Sequence, residues 1–91
     1  MANNTEKILT SFNINEEVVT FNLASTTKFR EIKNLLINKK KINVKDNNIS
    51  YLGEILTDND NEKRLKQIVG NDVSPVIFIT KKSIFTSSLL T

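Results

Sequence analysis

The chain contains no cysteine and no histidine, and these two absences remove most of the chemistry open to a small protein. Without cysteine there are no disulfides, thiolate metal ligands or thiol nucleophiles. Without histidine there is no imidazole base, no Ser-His pair and no ordinary zinc site. Carboxylates, lysines, hydroxyls and a single tyrosine remain, so the chain reads as a non-enzyme with no cofactor and no metal. Tryptophan is absent, and only two glycines and one proline punctuate the 91 residues. No apolar run approaches the ~20 residues that cross a bilayer. Met1–Lys7 also lacks the apolar stretch of a secretory signal. The expectation is an intracellular protein, cytoplasmic or nuclear, with no membrane partner.

The hydrophobic fraction of 38% and the charged fraction of 25% are those of an ordinary folded domain. A chain of this length holds one core and buries roughly 60–65% of the surface its unfolded form exposes. The net charge of +3 is spread thinly, with runs only at Lys39–Lys41 and Lys81-Lys82, and most aromatics fall on core-like positions. Nucleic acid is therefore not an expected partner.

In chain order, residues 1–5 read as a disordered leader. Glu6–Asn13 alternates with Ile8, Thr10 and Phe12 on one face, and Asn13–Glu16 supplies a turn through two asparagines. Glu17–Ala24 alternates again, with Val19, Phe21 and Leu23 inward and Val18, Thr20 and Asn22 outward. Ser25-Thr26-Thr27 offers N-caps for a helix whose stripe is Phe29, Ile32, Leu35 and Leu36, and Lys39–Lys41 suits its carbonyl end. Ile42 and Val44 tuck beneath that helix. Ile49 and Tyr51 begin a strand that turns at Gly53, where positive φ is needed, and Leu56 resumes the core. Asp58, Asp60 and Glu62 invite comparison with a calcium loop, but the glycine and bidentate glutamate of such a loop are missing, so Thr57–Lys63 reads as a surface loop. Leu65 and Ile68 make one helical turn ended by Gly70, and Pro75 opens a last strand whose run Val76-Ile77-Phe78-Ile79 calls for neighbours on both sides. Residues 83–91 read as a tail or linker outside a domain spanning 6–82.

Strand, strand, helix, strand, short strand, helical turn, strand is the order of an α+β β-grasp, with a mixed four- to five-stranded sheet and one main helix across one face. On this order the chain resembles the ubiquitin-like family. Phe29, Ile32, Leu36 and Ile42 fall on that family's helix core, and Ile49–Leu56 falls on its L-I-F-A-G-x-x-L segment. Leu65 matches the leucine of its T-L-x-D-Y turn, while Val76 and Phe78 match the inward pair of its closing strand. The resemblance implies a recognition module read by protein partners through a shallow apolar patch on the sheet. It places Ser50 where the family carries its central patch isoleucine, Glu54 at the chain-forming lysine, and Lys41 at the helix-ending glycine, which implies strain or a longer helix there. No Gly-Gly pair follows Lys82, so the expected module is not conjugated in this form.

With that phase for the last strand, Ile77 and Ile79 face outward beside Ile14. These three form a displaced docking surface with Ser50, Leu52 and Ile55, rimmed by Lys81 and Lys82, unless Ile77 and Ile79 pack beneath the C-terminal tail. The leading expectation is a monomeric, non-catalytic docking domain of a longer protein. The alternatives are a self-associating structural β-grasp domain of a scaffold or cytoskeletal protein, and a unit processed from a fusion or polyprotein.

Overall fold

In the computed structural model, residues 6–82 are described; the leader 1–5 and the tail 83–91 lie outside them. The first hairpin joins β1 (Lys7–Ile14) to β2 (Glu17–Ala24) in unbroken antiparallel register from Lys7↔Ala24 to Ile14↔Glu17. Its loop is only Asn15 and Glu16, both at positive φ (50° and 71°), the conformation that matches the right-handed twist of the flanking strands. Asparagine accepts it readily, glutamate less so.

Helix α1 (Phe29–Lys40) follows. Its N-cap is Lys28, not one of the preceding hydroxyl residues: the Lys28 N–H donates to the Glu31 carboxylate at 2.8 Å, and no side chain caps from the N-cap itself. Ser25 and Thr27 are engaged elsewhere, since their carbonyls accept from Lys66 and Leu65 (3.0 and 2.7 Å) and tie the start of α1 to a second helical turn. At the other end Lys41 adopts the left-handed conformation, φ 58°, ψ 33°. The Lys41 and Ile42 N–H groups close the last turn on Ile37 and Leu36 carbonyls, so the helix ends where a glycine would end it and Lys41 carries the strain.

β3 (Asn47–Tyr51) and β4 (Glu54–Leu56) form a second hairpin, turning through Leu52 at φ 52° and Gly53 at φ 84°. A 3-10 turn, Asp58–Asp60, and helix α2 (Leu65–Val69), capped by Gly70, lead to β5 (Val76–Lys81). The five strands order as β2-β1-β5-β3-β4, with β5 parallel to β1 and antiparallel to β3. This is the mixed sheet expected, with its first and last strands side by side in the middle.

The core lies between one sheet face and α1, filled by Ile8, Phe12, Ile14, Phe29, Ile32, Leu36, Ile49, Tyr51, Leu65, Val69, Ile77 and Ile79. Each of the larger of these side chains contributes about 1.5–3 kcal/mol by leaving water. Phe12 packs edge-on against Phe21 with ring centroids 5.9 Å apart, a favoured aromatic geometry. Val19, Phe21, Leu23, Ile42, Val44, Leu56 and Ile68 close the margins.

Candidate docking surface

A sheet with a helix on one face leaves the other face uncovered among the described residues, and strand alternation decides which residues it carries. On β5 the expected phase is reversed. Ile77 and Ile79 are each 1% exposed, whereas Val76 and Phe78 are 38% and 43% exposed. Register explains why: Ile77 lies between Phe12 and Tyr51, and Ile79 between Ile14 and Ile49, all four of them core residues. An unbroken apolar run carries no alternation of its own, so neighbouring strands set its phase. Ile14 is likewise buried, because the two-residue loop leaves it inside β1, continuing Ile8, Thr10 and Phe12 onto the core face. Ile14, Ile77 and Ile79 are core residues and are not available to a partner.

The uncovered face is organised around Ser50. In register across the sheet stand Val18, Asn13, Phe78, Ser50 and Ile55, and the next row carries Thr20, Ser11 and Val76. Phe78 and Ile55 thus flank the small Ser50 from β5 and β4, both largely exposed. Ser11 and Thr20 join hydroxyls across β1 and β2 at 3.1 Å, a polar seam between the Val76–Phe78 cluster and the exposed Leu9 and Val18. Leu52 is 81% exposed at the tip of the β3–β4 turn and holds a backbone conformation unfavourable for leucine.

Of the residues singled out from sequence, the fold brings Ser50 and Ile55 together and sets Leu52 at their margin. Lys81 and Lys82 are exposed at the end of β5, but Lys82 lines an open hollow of about 420 Å³ with Lys33, Val44 and Lys45. Ile55 lines the same hollow. Phe78, Val76 and Leu9 were not expected on this face; the parity of Ile8, Thr10, Phe12 and Ile14 is the signal that finds Leu9, while β5 needs its register.

Two polar features brace the domain on its helix side. The Tyr51 hydroxyl donates to the Asp72 carboxylate at 2.6 Å. Burial, then the hydrogen bond and negative charge of Asp72, push its pKa up from 10.0 to about 12. The acidic loop is a clasp across to α1: Asp58 pairs with Lys33 at 2.9 Å, Glu62 with Lys28 at 2.9 Å and Arg30 at 3.2 Å, and Asp60 with Lys63 at 3.0 Å. Hydrogen bonds from lysine hold Asp58 and Glu62 below the ordinary carboxylate range, and the Thr57 N–H, then Lys63, do the same for Asp60. These carboxylates are satisfied by cations. No group among the described residues has the composition of a metal site, and no described helix is long and apolar enough to cross a membrane.

No protein-family model and no curated protein matches the chain in sequence. Its fold does match solved structures. The ubiquitin-like domain of an Arabidopsis thaliana protein superposes with a TM-score of 0.72 at 20% identity, covering 90% of this chain and 84% of that one. The ubiquitin of Caldiarchaeum subterraneum gives 0.69 at 10% identity, over 87% and 98% of the two chains. The C-terminal ubiquitin-like domain of human 2'-5'-oligoadenylate synthetase-like protein gives 0.69 at 11% identity, over 91% and 92%. The strand order, the one long helix among the described residues and these superpositions show a ubiquitin-like β-grasp fold.

Proposed function

We propose that this domain is a non-catalytic protein-docking module that presents its uncovered sheet face to a partner. The observation that carries the reading is the cluster of Phe78, Val76 and Ile55 around Ser50, apolar side chains exposed among the described residues on the face opposite the core. A soluble domain that keeps an aromatic ring exposed among aliphatic neighbours has a surface suited to a buried anchor, and a few anchors supply most of an interface's affinity. Relative to the ubiquitin pattern the anchor is displaced by one strand: Ser50 is small and Phe78, its register partner on β5, supplies the bulk. The matching partner is a protein element with an apolar ridge, such as an amphipathic receptor helix, that seats against Phe78.

Titration of isotopically labelled domain with helical receptor fragments of proteasomal and chaperone-associated type tests this. Shifts centred on Ser50, Ile55 and Phe78, in a protein that sediments as a monomer, are expected. Concentration-dependent self-association abolished by Phe78→Asp would establish the scaffold reading in its place.

A further inference from the structure

We infer that the hollow beside the start of β3 is a second docking site, one that takes an acidic segment of a partner protein with an apolar side chain between its carboxylates. The hollow exists because β4 stops short: its last pair with β3 is Ile49↔Leu56, whereas β3 extends through Asn48 and Asn47 along β5. The space left there is about 420 Å³, within the range of ligand-sized clefts. Phe29, Ile49 and the half-buried Val44 and Leu56 give it an apolar lining. Three lysines and one aspartate share the hollow, and their charges do not balance. Lys33 is committed, since its ammonium pairs with Asp58 at 2.9 Å and lies 5.0 Å from the centre of the Phe29 ring. Lys45 and Lys82 are exposed and form no ion pair among the described residues. The backbone brings these two together: the Lys82 N–H donates to the Asp46 carbonyl at 2.9 Å and ties the end of β5 to the loop that carries Lys45. The Asp46 carboxylate accepts from the Asn43 amide at 3.0 Å and does not line the hollow.

Two uncompensated cations above an apolar lining select an occupant that carries carboxylates and an apolar group together. A partner segment that sets a leucine-sized side chain against Val44 and Leu56 brings flanking aspartates or glutamates to Lys45 and Lys82. The apolar side chain is then the anchor, while the charges steer the approach and fix its orientation. Nucleic acid fits less well, because no arginine lines the hollow and Phe29, its one ring, is 1% exposed and offers no face for stacking. A second copy of this chain also fits less well: its acidic loop residues Asp58, Asp60 and Glu62 are already paired with Lys33, Lys63, Lys28 and Arg30. The stretch after Lys82 contains apolar residues but no acidic one. Ser50 and Phe78 do not line the hollow, and Ile55 is the residue it shares with the uncovered sheet face.

The probe is a blocked octapeptide with leucine flanked by glutamates, titrated into the labelled 91-residue protein. One control replaces the leucine by alanine and another the glutamates by lysines. Expected are shifts centred on Val44, Lys45, Asn48 and Lys82, with binding at least about tenfold weaker for either control and weakened by added salt. Lys45→Glu with Lys82→Glu should also weaken binding at least about tenfold and leave the melting temperature unchanged, because both side chains lie outside the core. Lys45→Arg with Lys82→Arg should keep the affinity. Several results would each overturn the inference: shifts centred on Ser50 and Phe78, equal binding of the lysine peptide, affinity unmoved by the charge reversal, or no binding at millimolar peptide. Contacts from residues 83–91 to Val44 that the peptide fails to displace, or dimers seated in the hollow, would overturn it as well. Phe78→Asp should leave this binding intact, so the two surfaces fail separately.

Discussion

Tyr51 offers the sharpest quantitative check on the fold, because it is the only tyrosine and the chain has no tryptophan, so near-ultraviolet absorbance at alkaline pH reports it alone. Its phenol is buried against Val69 and donates to Asp72 at 2.6 Å. Burial disfavours the phenolate first, and the Asp72 carboxylate adds a hydrogen bond and a repulsive charge that ionisation would have to overcome, raising the pKa from 10.0 to about 12. A folded pKa above the unfolded one means that the neutral form is what the fold stabilises. The contribution is complete below pH 10 and is lost as pH rises through about 12. A shift of this size corresponds to roughly 2–3 kcal/mol at full expression. A spectrophotometric titration should therefore show phenolate appearing near pH 12 in the folded protein and near pH 10 after denaturation. Asp72→Asn should bring the folded midpoint part of the way down and leave it above the denatured value, since burial remains. A folded midpoint near 10, or one unmoved by Asp72→Asn, would refute the packing of Tyr51 and α2 described above.

Adjacent residues of β5 should behave oppositely. Ile77→Ala creates a core cavity and should cost about 2–5 kcal/mol in chemical denaturation, while Phe78→Ser should change stability by less than about 1 kcal/mol. Lys41→Gly relieves a left-handed backbone that lysine tolerates poorly, and should raise stability by about 0.5–1 kcal/mol, visible as a higher melting temperature. Asp58, Asp60 and Glu62 are held below their ordinary values of 3.8, 3.8 and 4.5, so their contribution is present above those values and is lost as pH falls through the lowered ones. Acid unfolding should accordingly steepen below about pH 4 and move to higher pH in Lys33→Met.

The architecture was legible in the residues because most elements declare a period: alternation in Lys7–Ala24, the three-and-four spacing of α1, and Gly53 and Gly70 at turns that require positive φ. The Thr57–Lys63 loop lacks the ligands of a calcium site, and its acidic residues are the partners of Lys28, Arg30, Lys33 and Lys63. The surface was less legible, for two local reasons. The asparagines at 13 and 15 suggest a turn that includes Ile14, but the turn needs only Asn15 and Glu16, and that one-residue difference moves Ile14 from the surface to the core. In Val76–Ile79 four apolar residues stand in a row, so only pairing with Phe12 and Ile14 on one side and Ile49 and Tyr51 on the other tells which two are inside. Helix capping was illegible for a comparable reason: the backbone around Ser25 and Thr27 is committed to α2, a long-range tie that local cap chemistry does not contain.

The uncovered sheet face as a docking surface is tested most directly by the affinity of Phe78→Asp for whichever receptor fragment shifts Ser50 and Ile55 in the wild-type domain. Phe78 lies outside the core, so the variant should keep its fold and melting behaviour while binding weakens at least about tenfold. Undiminished binding by a folded Phe78→Asp domain would contradict it.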